Sequence, residues 1–360
     1  MKLSSKPDME IVEKKWDCFW NGEVHERPLV LASCLKPEKT LRELPYSPYY
    51  YANTNRIDEY LDWADEWIEC AEFPCELVPS IGPNLGPDQF GAFLGTSLEF
   101  NMNDPATNWA KPVVTDWRTF LPLKIERANK AYTTMLSFVR KVRARGKGKY
   151  LCQMIDLHSN ADALSAVRHP DKLCMDFYDA PDLMRQAFDQ VKKLYHEVFN
   201  EVYEAAGLRE TGSTSWMPFY CKGRYSAVQV DFCCFVGSDI FRSYILPCLI
   251  DECNSLERSV FHLDGPGALT HLDDILSIKK LDVVQWLPGA GKPNNCDPCW
   301  RHILKKIRGA GKGLLLYPQS MKELQEVHRD LGPAGTVYHL YGTWYRKDIF
   351  DAIKWLEKNS

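Results

Sequence analysis

The chain predicts an α/β fold, a single (β/α)8 TIM barrel carrying an N-terminal helical and aromatic extension. Three observations predict it. Short apolar runs rich in β-branched residues recur along the sequence, each followed by a polar turn and then by an amphipathic stretch. About eight such units fill the chain, and strands that alternate with helices imply parallel pairing. No Gly-x-Gly-x-x-Gly follows the first run, so the signature of an open dinucleotide-binding sheet is missing.

The candidate strands cover 28–34, 76–81, 150–157, 213–220, 227–232, 259–263, 283–287, 313–317 and 336–340. Between the third and fourth, 180–206 reads as a helix, because Leu183, Ala187, Val191, Leu194, Val198 and Val202 recur at helical spacing. Pro181 stands where a first helical turn tolerates it. The stretch up to about residue 75 is unusually aromatic, with LPYSPYYYANTNR and the tryptophans Trp16, Trp20, Trp63 and Trp67. Trp63 and Trp67 are four apart, which puts them on one helical face. These rings either cover the bottom of the barrel or form an oligomer surface, the latter giving a homodimer. Tyr49, Tyr50 and Tyr51 have a second use open to them, as part of the wall of a ligand pocket. No repeat, low-complexity tract or Pro/Gly/Ser-rich linker divides the chain. Residues 1–360 are therefore expected to form one domain, with 1–75 as the extension and first strand and 76–350 as the remaining barrel.

Composition removes several classes of function. The chain has 360 residues, of which 45% are hydrophobic and 26% charged, an ordinary globular balance. Its 44 basic and 48 acidic side chains leave a net charge of −4, which argues against nucleic acid as a partner. No apolar run approaches the roughly 18 residues needed to cross a bilayer. The opening MKLSSKPDMEIVEKKWDCFW lacks the apolar core of a secretory signal, so a cytoplasmic location is expected. Thirteen cysteines then read mostly as small buried apolar residues in a reducing compartment. Cys296 and Cys299 form the lone C-x-x-C; with no second ligand pair at comparable spacing, they are expected to be plain loop thiols.

In a barrel, active sites gather where strands end at the C-terminal face. That rule selects the polar residues closing each apolar run. MIDLHSNAD supplies Asp156, His158, Asn160 and Asp162. The fourth run, holding Trp216, ends in Tyr220, Cys221 and Lys222, and the fifth carries Gln229 and Asp231. FHLDGPGALTHLDD supplies His262, Asp264, His271, Asp273 and Asp274, while VVQWLPGAG supplies Gln285 and Trp286; Tyr317, His339 and Tyr341 come last. His262 and Asp264 alternate across one residue and so share a face of their strand. Such a pair can ligate a metal, or can be a histidine oriented by a carboxylate for proton transfer. The Gly-Pro-Gly that follows lets backbone approach a ligand closely. Asp156 and His158 have the same spacing. Asp231 interrupts an apolar run, where a carboxylate must be paired, protonated or near the open end; Arg224 and Arg242 are the candidate partners. Several acids aimed into one mouth raise each other's pKa, so that some serve as acids and others as bases. His271 and Asp274 read as a capping or surface pair, and His25, His169, His196, His302 and His328 as structural or solvated.

These segments resemble the uroporphyrinogen decarboxylase superfamily, which also contains the corrinoid-dependent methylcobamide:coenzyme M methyltransferases. The resemblance runs through EKKWDCFWNGEVHERPLVLAS, SIGPNLGPDQFGAFLG, MIDLHSNADAL, HLDGPGALTHLDDIL, VVQWLPGAG and GKGLLLYP, from about residue 10 to 350. It is similar above all to a branch described only as uroporphyrinogen-decarboxylase-like. The resemblance implies a barrel, and fold and reaction are separable. Two departures sort the activities. True uroporphyrinogen decarboxylases carry an Arg-rich motif after the first strand, suited to a substrate with many carboxylates; here that place reads SCLKPEKTLRELPYSPYYY. The methyltransferases bind zinc through a His-x-Cys and a later Cys. His262 and Asp264 match the first pair with a carboxylate in place of the thiolate, and the last strand, TVYHLYGTWY, offers His339 instead of a Cys.

The leading expectation is an enzyme moving a one-carbon group between a methylated donor, with a corrinoid protein as the partner that carries it, and a small acceptor. His262 and Asp264 would hold zinc or orient the acceptor, with His339 as a third ligand. Asp156, His158 and Asp231 would supply acid and base groups. Trp216, Tyr220, Lys222, Gln285, Trp286 and Tyr317 would shape the substrate pocket. A rival is a metal-free decarboxylase or lyase in which Lys222 or Arg224 grips a carboxylate and Asp231 or Asp264 protonates the carbanion. Two others are a sugar-directed hydrolase using paired carboxylates and a ligand-binding subunit without catalysis.

Overall fold

The computed structural model describes residues 1–101 and 104–360, without the side chains of 101 and 104–107. Eight strands carry the fold: β1 (Leu29–Ala32), β2 (Ser80–Ile81), β3 (Leu151–Cys152), β4 (Tyr225–Gln229), β5 (Arg258–Asp264), β6 (Val283–Leu287), β7 (Gly313–Leu316) and β8 (Thr336–Leu340). Six of them form one parallel sheet in the order β1-β8-β7-β6-β5-β4. β2 and β3 form a separate parallel pair. One backbone bond sets the segment before β2 beside the β1 edge, Glu76 N–H to Val30 O at 2.9 Å, and another ties the residues after β3 to the segment at 213–221, Met154 N–H to Thr214 O at 2.8 Å. The architecture is barrel-like, without a continuous hydrogen-bond ladder around the ring among the described residues.

The predicted strands survive where β-branched and aliphatic residues are dense. Val283, Val284, Gln285 and Trp286 are all buried, the pattern of a parallel strand covered on both faces. The predicted strand at 213–220 does not form. Gly212 enters it at φ +77°, Phe219 N–H folds back to Met217 O at 2.7 Å around Pro218, and a lone bridge joins Ser213 to Cys221. This segment is a folded-back strap, and among the described residues the strands of the barrel number eight instead of the predicted nine. The run at 227–232 also shifts: the strand stops at Gln229, and Asp231–Phe235 winds into a 3-10 turn.

Helix α1 (Met9–Trp20) buries Met9, Val12, Trp16 and Phe19. Its end packs beneath the N-terminal ends of the strands: Trp16 Nε1–H donates to Glu76 O at 3.0 Å, and Trp20 Nε1–H to Tyr220 O at 2.8 Å. Trp16 and Trp20 therefore close the bottom. Trp63 and Trp67, on α2 (Ile57–Cys70), stack at 6.1 Å in parallel planes away from that plug, beside Cys34 and Tyr60. The long helix predicted at 180–206 is α3 (Pro181–Ala206), ended by Gly207 in the left-handed region at φ +73°.

Candidate active site

His262 and Asp264 lie near the C-terminal end of β5, and Asp231 lies in the turn just beyond β4. The fold brings one ligand atom of each within 4.8 Å of the others. Two local features make this possible. Gly267 packs so closely on Cys234 that an added Cβ would sit 3.0 Å from the Cys234 Cβ, which seats the turn after β5 against the turn after β4. His271 then holds the second turn from behind, its Nε2 3.0 Å from Cys233 O and 3.1 Å from Val236 O. Buried and stacked on Phe241, His271 belongs to the framework. The expected pairing with Asp274 does not form; Asp274 binds Arg242 instead.

His262 is aimed by its neighbours. Its Nδ1 lies 2.5 Å from Gln285 Oε1, and Gln285 Nε2 donates to the Tyr317 hydroxyl. The amide nitrogen being committed to Tyr317, the Gln285 oxygen accepts from His262 Nδ1–H, and the Nε2 lone pair remains for a ligand. Trp216 meets the imidazole edge-on at 5.0 Å.

A second cluster adjoins the first. His158 sits between two carboxylates, its Nε2 3.2 Å from Asp156 Oδ2 and its Nδ1 3.2 Å from Asp162 Oδ2. Burial works against a charged imidazole here, but Asp156 and Asp162 outweigh it and hold the His158 pKa well above its ordinary value. Asp162 also accepts the backbone N–H groups of Asp231 at 3.0 Å and Phe232 at 2.8 Å. Gln229 donates to Asp156. Asp231 opens to solvent yet is crowded by protein; this partial burial, with Asp162 nearby, pushes its pKa up to about 6, against the pull of His158 and His262. The expected partners of Asp231 are occupied elsewhere, Arg242 by Asp274 and Arg224 by Asn200. A crevice of about 640 Å³ lined by Trp109, His158, Asp162, Asp231 and Phe235 leads into this cluster.

The remaining predicted site residues divide. Tyr317 faces the mouth through Gln285, and His339 packs 5.6 Å from Tyr317 and 4.8 Å from Tyr341. Burial alone lowers the His339 pKa to about 4, so it is neutral; it lies outside the Asp231–His262–Asp264 group. Tyr220, Lys222 and Trp286 are placed elsewhere. Tyr220 OH bonds Glu13 and Thr211 O, and Lys222 Nζ pairs with Asp17 at 2.6 Å, both at the barrel's bottom, because the strap at 213–221 turns back there. Trp286 is one residue out of phase with Gln285 and packs on Trp300 at 5.4 Å outside the barrel. Tyr49 lies near enough to Asp156 that the carboxylate, added to burial, lifts its hydroxyl pKa to about 12. Cys296 is buried and Cys299 exposed, both free thiols.

Sequence reasoning missed the layer behind the site. Glu252 is buried and accepts from Ser159 Oγ at 2.5 Å and Asn160 Nδ2 at 3.2 Å. Burial pushes its pKa up to about 8. A glutamate in the middle of an amphipathic stretch gave no sign of this; Ser159 and Asn160, inside a motif already singled out, were the available signal.

The fold is similar to that of solved structures. A methyltransferase from Methanosarcina mazei matches 96% of this chain with 98% of its own, at a TM-score of 0.56 and 13% sequence identity. The chain thus has a methyltransferase-like fold. No protein-family model matches it, and no curated protein does. Among the described residues no helix is long and apolar enough to cross a membrane.

Proposed function

We propose that this chain is a metal-dependent enzyme that transfers a one-carbon group between a methylated donor and a small acceptor at the barrel mouth. The observation that carries the proposal is the convergence of Asp231, His262 and Asp264 within 4.8 Å, with His262 turned by Gln285 to present Nε2. Two carboxylates and an imidazole fit zinc, which takes oxygen and nitrogen donors at similar distances. A divalent ion bound there supplies Lewis acidity that lowers the pKa of an acceptor heteroatom. The chain's own groups do the rest. His158, kept charged between Asp156 and Asp162, places positive charge beside Asp231. The mouth, edged by Tyr317, Tyr341 and Trp216, is the place for the acceptor. The sequence resemblance to the uroporphyrinogen-decarboxylase-like branch supports a corrinoid protein as the carrier of the methyl group.

The lyase reading is weaker on this geometry. It needs a cation at the mouth to grip a carboxylate, and Lys222 and Arg224 are both bound elsewhere. Porphyrinogen decarboxylation is weaker still, since Arg42 and Arg56, which follow β1, are spent on surface pairs with Glu66 and Glu59.

Metal analysis tests the proposal. Anaerobically purified protein reconstituted with zinc should hold it stoichiometrically, and the His262→Ala and Asp264→Ala variants should lose it while keeping the wild-type circular dichroism. Wild type that stays metal-free after reconstitution sinks the proposal. The metal-loaded protein should then demethylate methylcobalamin when a small thiol is supplied.

A further inference from the structure

At the opposite end of the barrel, beneath β6, β7 and β8, lies a cavity of about 430 Å³. Phe19 and Trp20 form its apolar side, and Lys279, Arg308 and Lys312 its basic side, with Gly313 and Gly335 between. Nothing in the proposed transfer chemistry uses it.

Among the described residues Lys279, Arg308 and Lys312 make no ion pair, although the Asp282 carboxylate acts on Lys312 from the same cavity. Arg308 is half-buried, burial lowers its pKa, and among the described residues it makes no ion pair. Lys312 is buried, and its ammonium donates only to two carbonyl oxygens, Ile278 O and Leu281 O, each at 2.7 Å. Burial lowers its pKa as well. Asp282 lines the same cavity, but Arg258 Nη1 at 3.0 Å and Ser259 N–H at 2.9 Å already take its carboxylate. Partly desolvated cations without anions cost stability unless something else offsets them.

Lys312 caps two carbonyls, but a capping role does not account for Arg308. Arg308 ends its helix, where a cation favours the dipole, yet its guanidinium makes no hydrogen bond to the last-turn carbonyls. It lies instead against Gly335, so closely that a Cβ there would collide with its Nη1. Gly335 stands at φ +59°, in the region that favours glycine. The chain thus leaves room for a planar guanidinium to lie along the cavity wall, the group best suited to a two-pronged contact with an oxyanion.

We propose that this bottom cavity binds a small phosphorylated molecule, its phosphate held by Arg308, Lys312 and Lys279 and its organic part against Phe19 and Trp20. Phenyl phosphate is the probe, compared with inorganic phosphate and phenol by calorimetry at physiological salt. The expected order is phenyl phosphate tighter than phosphate, with phenol not binding. Arg308→Gln should weaken phenyl phosphate at least tenfold. Lys279→Glu, an exposed change that spares the packing, should weaken it measurably even if Arg308→Gln folds poorly. His262→Ala, at the other end, should leave the affinity unchanged. Absence of binding to wild type overturns the proposal, as does affinity untouched by both basic-site variants. Loss of binding in His262→Ala overturns it too, by placing the anion at the mouth.

Discussion

Glu252 shows how a single buried acid can set the pH response of the site. Its carboxyl ionises at its ordinary 4.5 in the unfolded chain and at about 8 in the folded one. Between those values the folded state holds the extra proton. The stabilisation from this group is therefore full below about pH 4.5 and is lost as the pH rises through 8. Glu252→Gln keeps an oxygen for Ser159 and Asn160 and has no proton to lose. Its stability relative to wild type should climb across that window, by at most about 1.4 kcal/mol per pH unit. Urea unfolding of both proteins at several pH values inside the window measures this, and a difference independent of pH would rule out the protonated acid. None of this was legible at the residue level, because burial decides the pKa and a sequence does not display burial.

Among the elements, the 3-10 turn Asp231–Phe235 does the most to assemble the site. Asp162 accepts two of its N–H groups, His271 binds its Cys233 carbonyl and that of Val236 just beyond it, and Gly267 packs on its Cys234. Asp162→Ala leaves two buried or half-buried N–H groups unpaired and removes one flank of His158. Each unsatisfied donor costs about 1–3 kcal/mol, so the variant should lose about 3 kcal/mol of stability and much of its zinc. Asp162→Asn, which keeps an acceptor oxygen, should recover most of the stability. Equal losses in the two variants, by urea unfolding and metal content, would show that charge rather than turn geometry matters. Period-two alternation made His262, Asp264 and Gln285 readable as one face, and the same rule applied to Trp286 would have placed it outside. The turn itself was not readable, since VQVDFCCFVG has no proline or glycine before Gly237, well past Gln229 where the strand stops.

For the molecule as a whole, the join between the six-stranded sheet and the β2–β3 pair is the sensitive seam. It is held by few backbone bonds and by a buried ion pair. Arg27 Nη1 and Nη2 meet Glu76 at 2.8 and 3.0 Å, and Glu76 also accepts Val30 N–H at 2.9 Å. Although burial opposes the charge, Arg27 and Lys15 hold the Glu76 pKa below its ordinary value. Glu76→Ala strands Arg27 without a partner and should cost about 3–5 kcal/mol. A cooperative unfolding curve shifted to lower urea checks it, and a loss under about 1 kcal/mol would mean that the seam is carried by apolar packing such as Trp16 instead.

The amino-acid sequence by itself determined the alternation of strands and helices, the parallel order and the polar residues at the strand ends. These depend on local periodicity and on chain direction, which every residue carries with it. Only the tertiary structure decided that 213–220 is a strap, that Tyr220 and Lys222 lie at the bottom, and that Asp231 joins His262 and Asp264. It alone paired Arg27 with Glu76 and left Arg308 without an anion. Each of these depends on distances between segments far apart in the chain, set by close packing at glycines and by which buried charges find partners, and no local pattern encodes them.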